Sequence, residues 1–150
     1  MSFLILKEMD FKMVNAGSDS DKKYQLTDET VNEHGHTLYR IEALRDLPHG
    51  IKKGDKGGFI EKTQNLSHDG FAWVGDNAKV IGKGVVENNA LVHKNAIVYG
   101  KVSDDAMVSG NVIVLGTVSG DAHFYGHEII YGKVYSNGFL NNIKTRAINF

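Results

Sequence analysis

Ala90-Leu-Val-His-Lys-Asn-Ala-Ile-Val-Tyr-Gly-Lys-Val-Ser-Asp-Asp105 runs straight into Ala106-Met-Val-Ser-Gly-Asn-Val-Ile-Val-Leu-Gly-Thr-Val-Ser-Gly-Asp121, and that into Ala122-His-Phe-Tyr-Gly-His-Glu-Ile-Ile-Tyr-Gly-Lys-Val-Tyr-Ser-Asn137. These are three copies of one unit. The columns agree in type: Ala90/Ala106/Ala122, Val92/Val108/Phe124, Val98/Val114/Ile130, Gly100/Gly116/Gly132, Val102/Val118/Val134 and Asp105/Asp121/Asn137. A fixed period of this kind marks a stacked architecture in which no unit buries its apolar face alone. Each unit divides into sides of six, six and four residues. Residues two apart on a strand share a side, so Ala96 and Val98 point inward while Ile97 and Tyr99 point outward. Gly, Asn and Asp are expected at the corners because they tolerate positive φ. Three short sides make a prism, and prisms stack at strand spacing, about 4.8 Å. The expected fold is all-β: a parallel β-solenoid of triangular section with 16–18 residues per coil.

The runs Ala72-Trp-Val-Gly-Asp-Asn, Ala78-Lys-Val-Ile-Gly-Lys and Ala90-Leu-Val-His-Lys-Asn resemble the hexapeptide repeat of left-handed β-helix proteins. The period alone leaves the hand open, and parallel crossovers are generally right-handed. The resemblance implies left-handed winding. The four-residue side departs from the usual coil of three hexads and implies one tightened corner.

Composition bounds the function. A chain of 150 residues is most simply one domain, or one domain with a small appendage. The net charge is −1, with Lys and Arg dispersed, so no direct nucleic-acid binding is expected. The absence of cysteine rules out disulfides, a thiol nucleophile and cysteine-ligated metal. The apolar run from Phe3 to Leu6 is too short for a signal-peptide core or a membrane span, and a soluble, cytoplasmic chain is expected.

Taken in order, residues 1–57 are expected to form an N-terminal arm and a strand-rich cap, 58–143 the solenoid and 144–150 a tail. Met9, Phe11 and Met13 alternate, and this apolar start is left open between packing on its own domain and reaching another subunit. Residues 24–44 read as a hairpin turning at His34-Gly35 and covering one end of the solenoid, where edges would otherwise lie bare. Arg45 to Gly50, with Pro48, is a loop. Lys53-Gly-Asp-Lys-Gly-Gly-Phe-Ile-Glu61 lacks the spacing of a phosphate-binding loop and reads as a turn feeding the first coil, with Ile60 in the core. Gly58 to Asp69 forms an irregular coil with Leu66 inward. Gly138-Phe-Leu-Asn-Asn begins one more side.

A second resemblance now joins the first. Tyr24-Gln-Leu-Thr, Leu38-Tyr-Arg-Ile, Lys53 to Glu61, Asn65-Leu-Ser67 and Phe71-Ala-Trp-Val, leading into the hexads, look like short solenoid proteins of phage and prophage genomes, mostly uncharacterised. It implies a virus-encoded accessory protein and brings no catalytic residue with it.

The outward columns carry the binding expectations. Ile97, Ile113 and Ile129, with Tyr99, Leu115 and Tyr131, stack on one flat side and form a candidate interface, because apolar patches of a few hundred Å² usually mark interaction sites. A homo-oligomer, dimer or trimer, is expected there, with cover by the chain's own N-terminal arm or C-terminal tail, or by a foreign protein, left open beside it. Phe71, Trp73, Leu91 and Met107, followed by His123 and Phe139, form a second, mixed outer face; aromatic residues are favoured as interface anchors, and shielding of this face by the N-terminal hairpin is left open beside that reading. Asn77, Asn89, Asp105, Asp121 and Asn137 are expected to form one corner column able to ladder its amides. A calcium site there would need more oxygens than it offers, and neither metal nor cofactor is expected.

Enzymatic readings hinge on histidine. Hexapeptide acyltransferases use one as general base, in a cleft built with a loop that leaves a coil, and the hexads from Ala72 to Asn137 carry no insertion. His93, His123 and His127 read as solvated. A zinc site of the γ-carbonic anhydrase kind needs three convergent histidines, which these positions do not offer. The expected function is therefore a non-catalytic phage-type accessory protein that binds and inhibits a host protein or immune signal. That is an anti-defence role, for instance against a CRISPR effector or a nucleotide signal. The alternatives are a hexapeptide acyltransferase and a structural scaffold.

Overall fold

The computed structural model describes residues 22–137. Two long strands come first, β1 (Tyr24–Glu33) and β2 (His36–Ala43), joined at His34 and Gly35. Both turn residues have positive φ, 51° and 87°. A two-residue turn of that kind matches the twist of the flanking strands, which is why His-Gly closes a hairpin here. Then β3 (Lys56–Ile60) pairs antiparallel with β2 and parallel with the next strand on its side.

From β3 onward the chain winds as a parallel β-solenoid. One side stacks β3, β5 (Lys79–Val80), β8 (Ile97–Val98), β11 (Ile113–Val114) and β14 (Ile129–Ile130), giving five coils, with the hairpin as two added strands at its N-terminal edge. The second side stacks β4 (Trp73–Val74), β7 (Leu91–Val92), β10 (Met107–Val108) and β13 (His123–Phe124). The third stacks β6 (Val85–Val86), β9 (Lys101–Val102), β12 (Thr117–Gly120) and β15 (Lys133–Ser136). Leu66 extends the third side by a bridge to Val86.

Inward residues behave as the alternation requires. Ala96, Val98, Val102, Ala106, Val108, Val112, Val114 and Val118 are all buried in one continuous core. Full burial of one valine is worth about 1.5–3 kcal/mol, and stacking multiplies that coil by coil. The column of Ala78, Ala96 and Val112 reaches Glu128, whose carboxylate turns back to accept a hydrogen bond from Gly126 N–H at 3.1 Å.

The corners come in two kinds. Positive φ falls on Asp76, Lys94 and Gly110 between the second and first sides, and on Asn88, Asp104 and Gly120 between the third and second. The corner after the first side differs. Gly82 has positive φ there in an 18-residue coil, as the Lys94–Asp76 spacing shows, whereas the following coils take 16 residues. Gly100 and Gly116 do not have positive φ. A Cβ at Gly100 would run into the carbonyl of Gly116, and one at Gly116 into that of Gly132. The expectation that corner glycines serve positive φ is thus corrected at these positions: close approach of the next coil requires them.

The start of the solenoid is built from particular contacts. A Cβ at Gly57 would lie 2.5 Å from Val74 O and 2.8 Å from the Trp73 ring, so only glycine lets β3 pass there. Ile60 and Leu66 are buried, as read from the sequence. A 3-10 turn at Thr63–Asn65 closes the first coil. Among the described residues no helix is long and apolar enough to cross a membrane. The expectations for the arm before residue 22, for Phe139 and the side beginning at Gly138, and for the tail lie outside the described residues.

Candidate functional site

The first side carries the outward strip. Ile97, Ile113 and Ile129 stand in register on β8, β11 and β14. Its N-terminal end, however, is covered by the chain itself. Leu38 of β2, Phe59 of β3 and Ile81 form a second small core, and Val31, Ile97 and Tyr99 pack against it. Arg40 fastens the hairpin there. Its guanidinium lies 4.3 Å over the Phe59 ring, donates to Gly57 O (2.6 Å) and Asp76 O (3.1 Å), and pairs with Glu29 at 3.0 Å. The six-residue strip therefore divides. Ile97 and Tyr99 help hold the hairpin, while Ile113, Leu115, Ile129 and Tyr131 remain on the outer face, with Leu115 43% and Tyr131 52% exposed.

The second side departs further from expectation. Phe71 is 51% exposed, and Leu91 and Met107 are half-buried, but Trp73 is 3% exposed. Trp73 still lies beside Leu91 on the outer face of the sheet. It belongs to the main core, where Ile41 is buried and Ile51 of the β2–β3 connection packs. A segment distant in sequence thus takes Trp73 out of the proposed secondary surface.

That connection also creates a cleft of about 360 Å³ against the second side. Ile51, Leu91 and Trp73 supply its apolar lining, and His49, Asp55, Lys56, Asp76 and His93 its polar one. His93 is not the solvated histidine read from the sequence. Its Nδ1 lies 3.6 Å from Asp76 Oδ2, and its Nε2 is buried with no hydrogen-bond partner. Burial holds its pKa below the ordinary histidine value, with Asp76 acting in the opposite direction. Asp76 Oδ2 also accepts the Lys94 N–H at 3.0 Å. Sequence reasoning missed this cleft because its walls come from segments with no shared period. The available signal was a single tryptophan close to a Gly-Asp corner.

The corner between the third and second sides does ladder. Asn88 Oδ1 accepts Asp104 N–H (3.1 Å), Asp104 Oδ2 accepts Gly120 N–H (2.9 Å), and Asn89 Nδ2 donates to Asp105 Oδ1 (3.3 Å). Asn77 is not part of this column. It follows Asp76 at the other corner, in the position of Asn95, Asn111 and His127, because the coil preceding Ala90 is two residues longer. His127 Nδ1 lies 3.3 Å from Asn111 Nδ2, and His123 is exposed. Among the described residues no group of three or more His, Cys, Asp or Glu is arranged to hold a metal ion.

No family model matches the chain, and no curated protein is similar to it.

Proposed function

We propose that the chain works by binding rather than by turnover, as a phage-type accessory protein that self-associates and occupies a host defence component. The observation that carries the binding half is the open part of the strip: Ile113, Leu115, Ile129 and Tyr131 in register on one flat side. Leucine, isoleucine and tyrosine on a rigid surface associate at little cost in ordering. A second copy of the chain is the first partner to test. The anti-defence half rests on the resemblance to phage solenoid proteins, as left-handed winding rests on the hexapeptide pattern.

Acyl transfer fits less well. A general base must reach the proton it takes, and Nε2 of His93 is buried.

Light scattering on the wild type beside Ile113→Lys with Leu115→Lys tests the self-association. The expected result is an oligomer that becomes a folded monomer, and a monomeric wild type refutes it. A pull-down from immune-competent host lysate that recovers nothing above background counts against the defence role.

A further inference from the structure

We propose that the cleft beside Trp73 is a binding site for a small zwitterion, with an apolar α-amino acid as the class its lining matches. This stands independently of the strip and of any host partner.

Asp55, Asp76 and Lys56 share this cleft without pairing with one another. Asp55 accepts Lys52 N–H through Oδ2 at 2.9 Å, and Asp76 accepts Lys94 N–H through Oδ2 at 3.0 Å. Among the described residues, neither carboxylate has a protein partner at Oδ1. Lys56 lines the same cleft and has no ion-pair partner among the described residues. Two anions and a cation held apart in one concavity suit a ligand that carries both signs, its ammonium towards the carboxylates and its carboxylate towards Lys56. Hydrogen bonds between ionised partners are the strong ones.

The remaining lining fits the rest of such a molecule. Ile51, Leu91 and the Trp73 ring offer an apolar wall. The indole N–H of Trp73 and the imidazole of His49 have no hydrogen-bond partner among the described residues, and both are able to donate to a carboxylate. The volume, about 360 Å³, lies at the lower end of the range for small-molecule sites. The walls are fixed before any ligand arrives, since one Arg40 nitrogen holds Gly57 O and Asp76 O together and Asp76 also faces His93. A preformed site loses less on binding.

Trp73 is the single tryptophan of the chain, so its fluorescence reports on the cleft directly. The experiment titrates the whole protein with L-leucine and L-methionine, then with leucinamide, which lacks the carboxylate, and N-acetylleucine, which lacks the ammonium. The expected result is a saturable change with the amino acids and binding at least about tenfold weaker for both derivatives. Lys56→Gln, at an exposed position, should weaken leucine about tenfold while leaving the response to leucinamide unchanged, and Asp76→Asn should weaken leucine but spare N-acetylleucine. No saturable change with either amino acid overturns the proposal. So does an equal response to all four compounds, or a leucine affinity untouched by Lys56→Gln.

Discussion

Asn65 is fully buried, and its amide is used on every side. Oδ1 accepts the N–H groups of Glu61 (2.9 Å) and Lys62 (2.7 Å), while Nδ2 donates to Gly82 O (3.1 Å) and Gly84 O (2.8 Å). One side chain thereby ties the irregular first coil to the regular one above it. Asn65→Ala should cost about 2–4 kcal/mol, read as a lower urea midpoint, because buried backbone groups lose their partners. Nearby, Lys23 donates to Ala72 O at 2.6 Å, and burial, helped by Arg45, lowers its pKa from 10.5 to about 8. Between those values the unfolded chain holds a proton that the folded chain has released, so stability rises with pH from about 8 to 10.5. Tyr24 works the other way. Its hydroxyl donates to Leu66 O at 2.6 Å, and burial raises its pKa above the usual 10.0, so the unfolded chain ionises first and stability falls above that pH. The urea midpoint should therefore climb above pH 8, flatten near 10 and drop beyond it. His68, stacked on Tyr24 at 4.2 Å and accepting Lys23 N–H at 3.1 Å, has its pKa lowered by burial, as does His93. Both withdraw stability as pH falls through the ordinary histidine value of 6.5.

At the level of strands and corners, Gly116 and Gly132 look identical in sequence and differ in place. Gly116→Ala drives a methyl into the carbonyl of Gly132, whereas among the described residues a methyl at Gly132 meets nothing within 4 Å. The first should destabilise by about 2 kcal/mol or more and the second by less than about 0.5, a contrast that thermal melts of the two variants would resolve. Periodicity exposed the glycine column but not the reason for it, since positive φ and close approach select the same residue. The inward columns were legible except at Glu128, because alternation fixes which face of a strand meets the core. The hairpin was legible too, from two apolar runs around His34-Gly35. Trp73 was legible only as an open choice between an outward anchor and a residue shielded by the hairpin region, since no local pattern links it to β3, where a Cβ at Gly57 would lie 2.8 Å from its ring.

Across the whole molecule the same limit recurs. Stacking is a local rule repeated, so the solenoid could be read from its units, while the cleft and the hairpin's hold on Ile97 and Tyr99 arise once and leave no periodic trace. The two ends of the outward strip should accordingly respond differently to charge. Ile81→Lys places an ammonium in the small core beneath Leu38 and should lower the melting temperature. Ile113→Lys with Leu115→Lys should leave it nearly unchanged while altering solution mass, and comparing melts with light scattering separates the two effects. The 16-residue spacing that puts Leu91 opposite Met107, and Met107 opposite His123, also bears on descent. A recombination event that drops or duplicates one such unit rejoins corners of the same kind. A lineage can therefore lengthen or shorten this rod by whole storeys, carrying the outer strip up or down while the hairpin and its cleft stay at the ground floor.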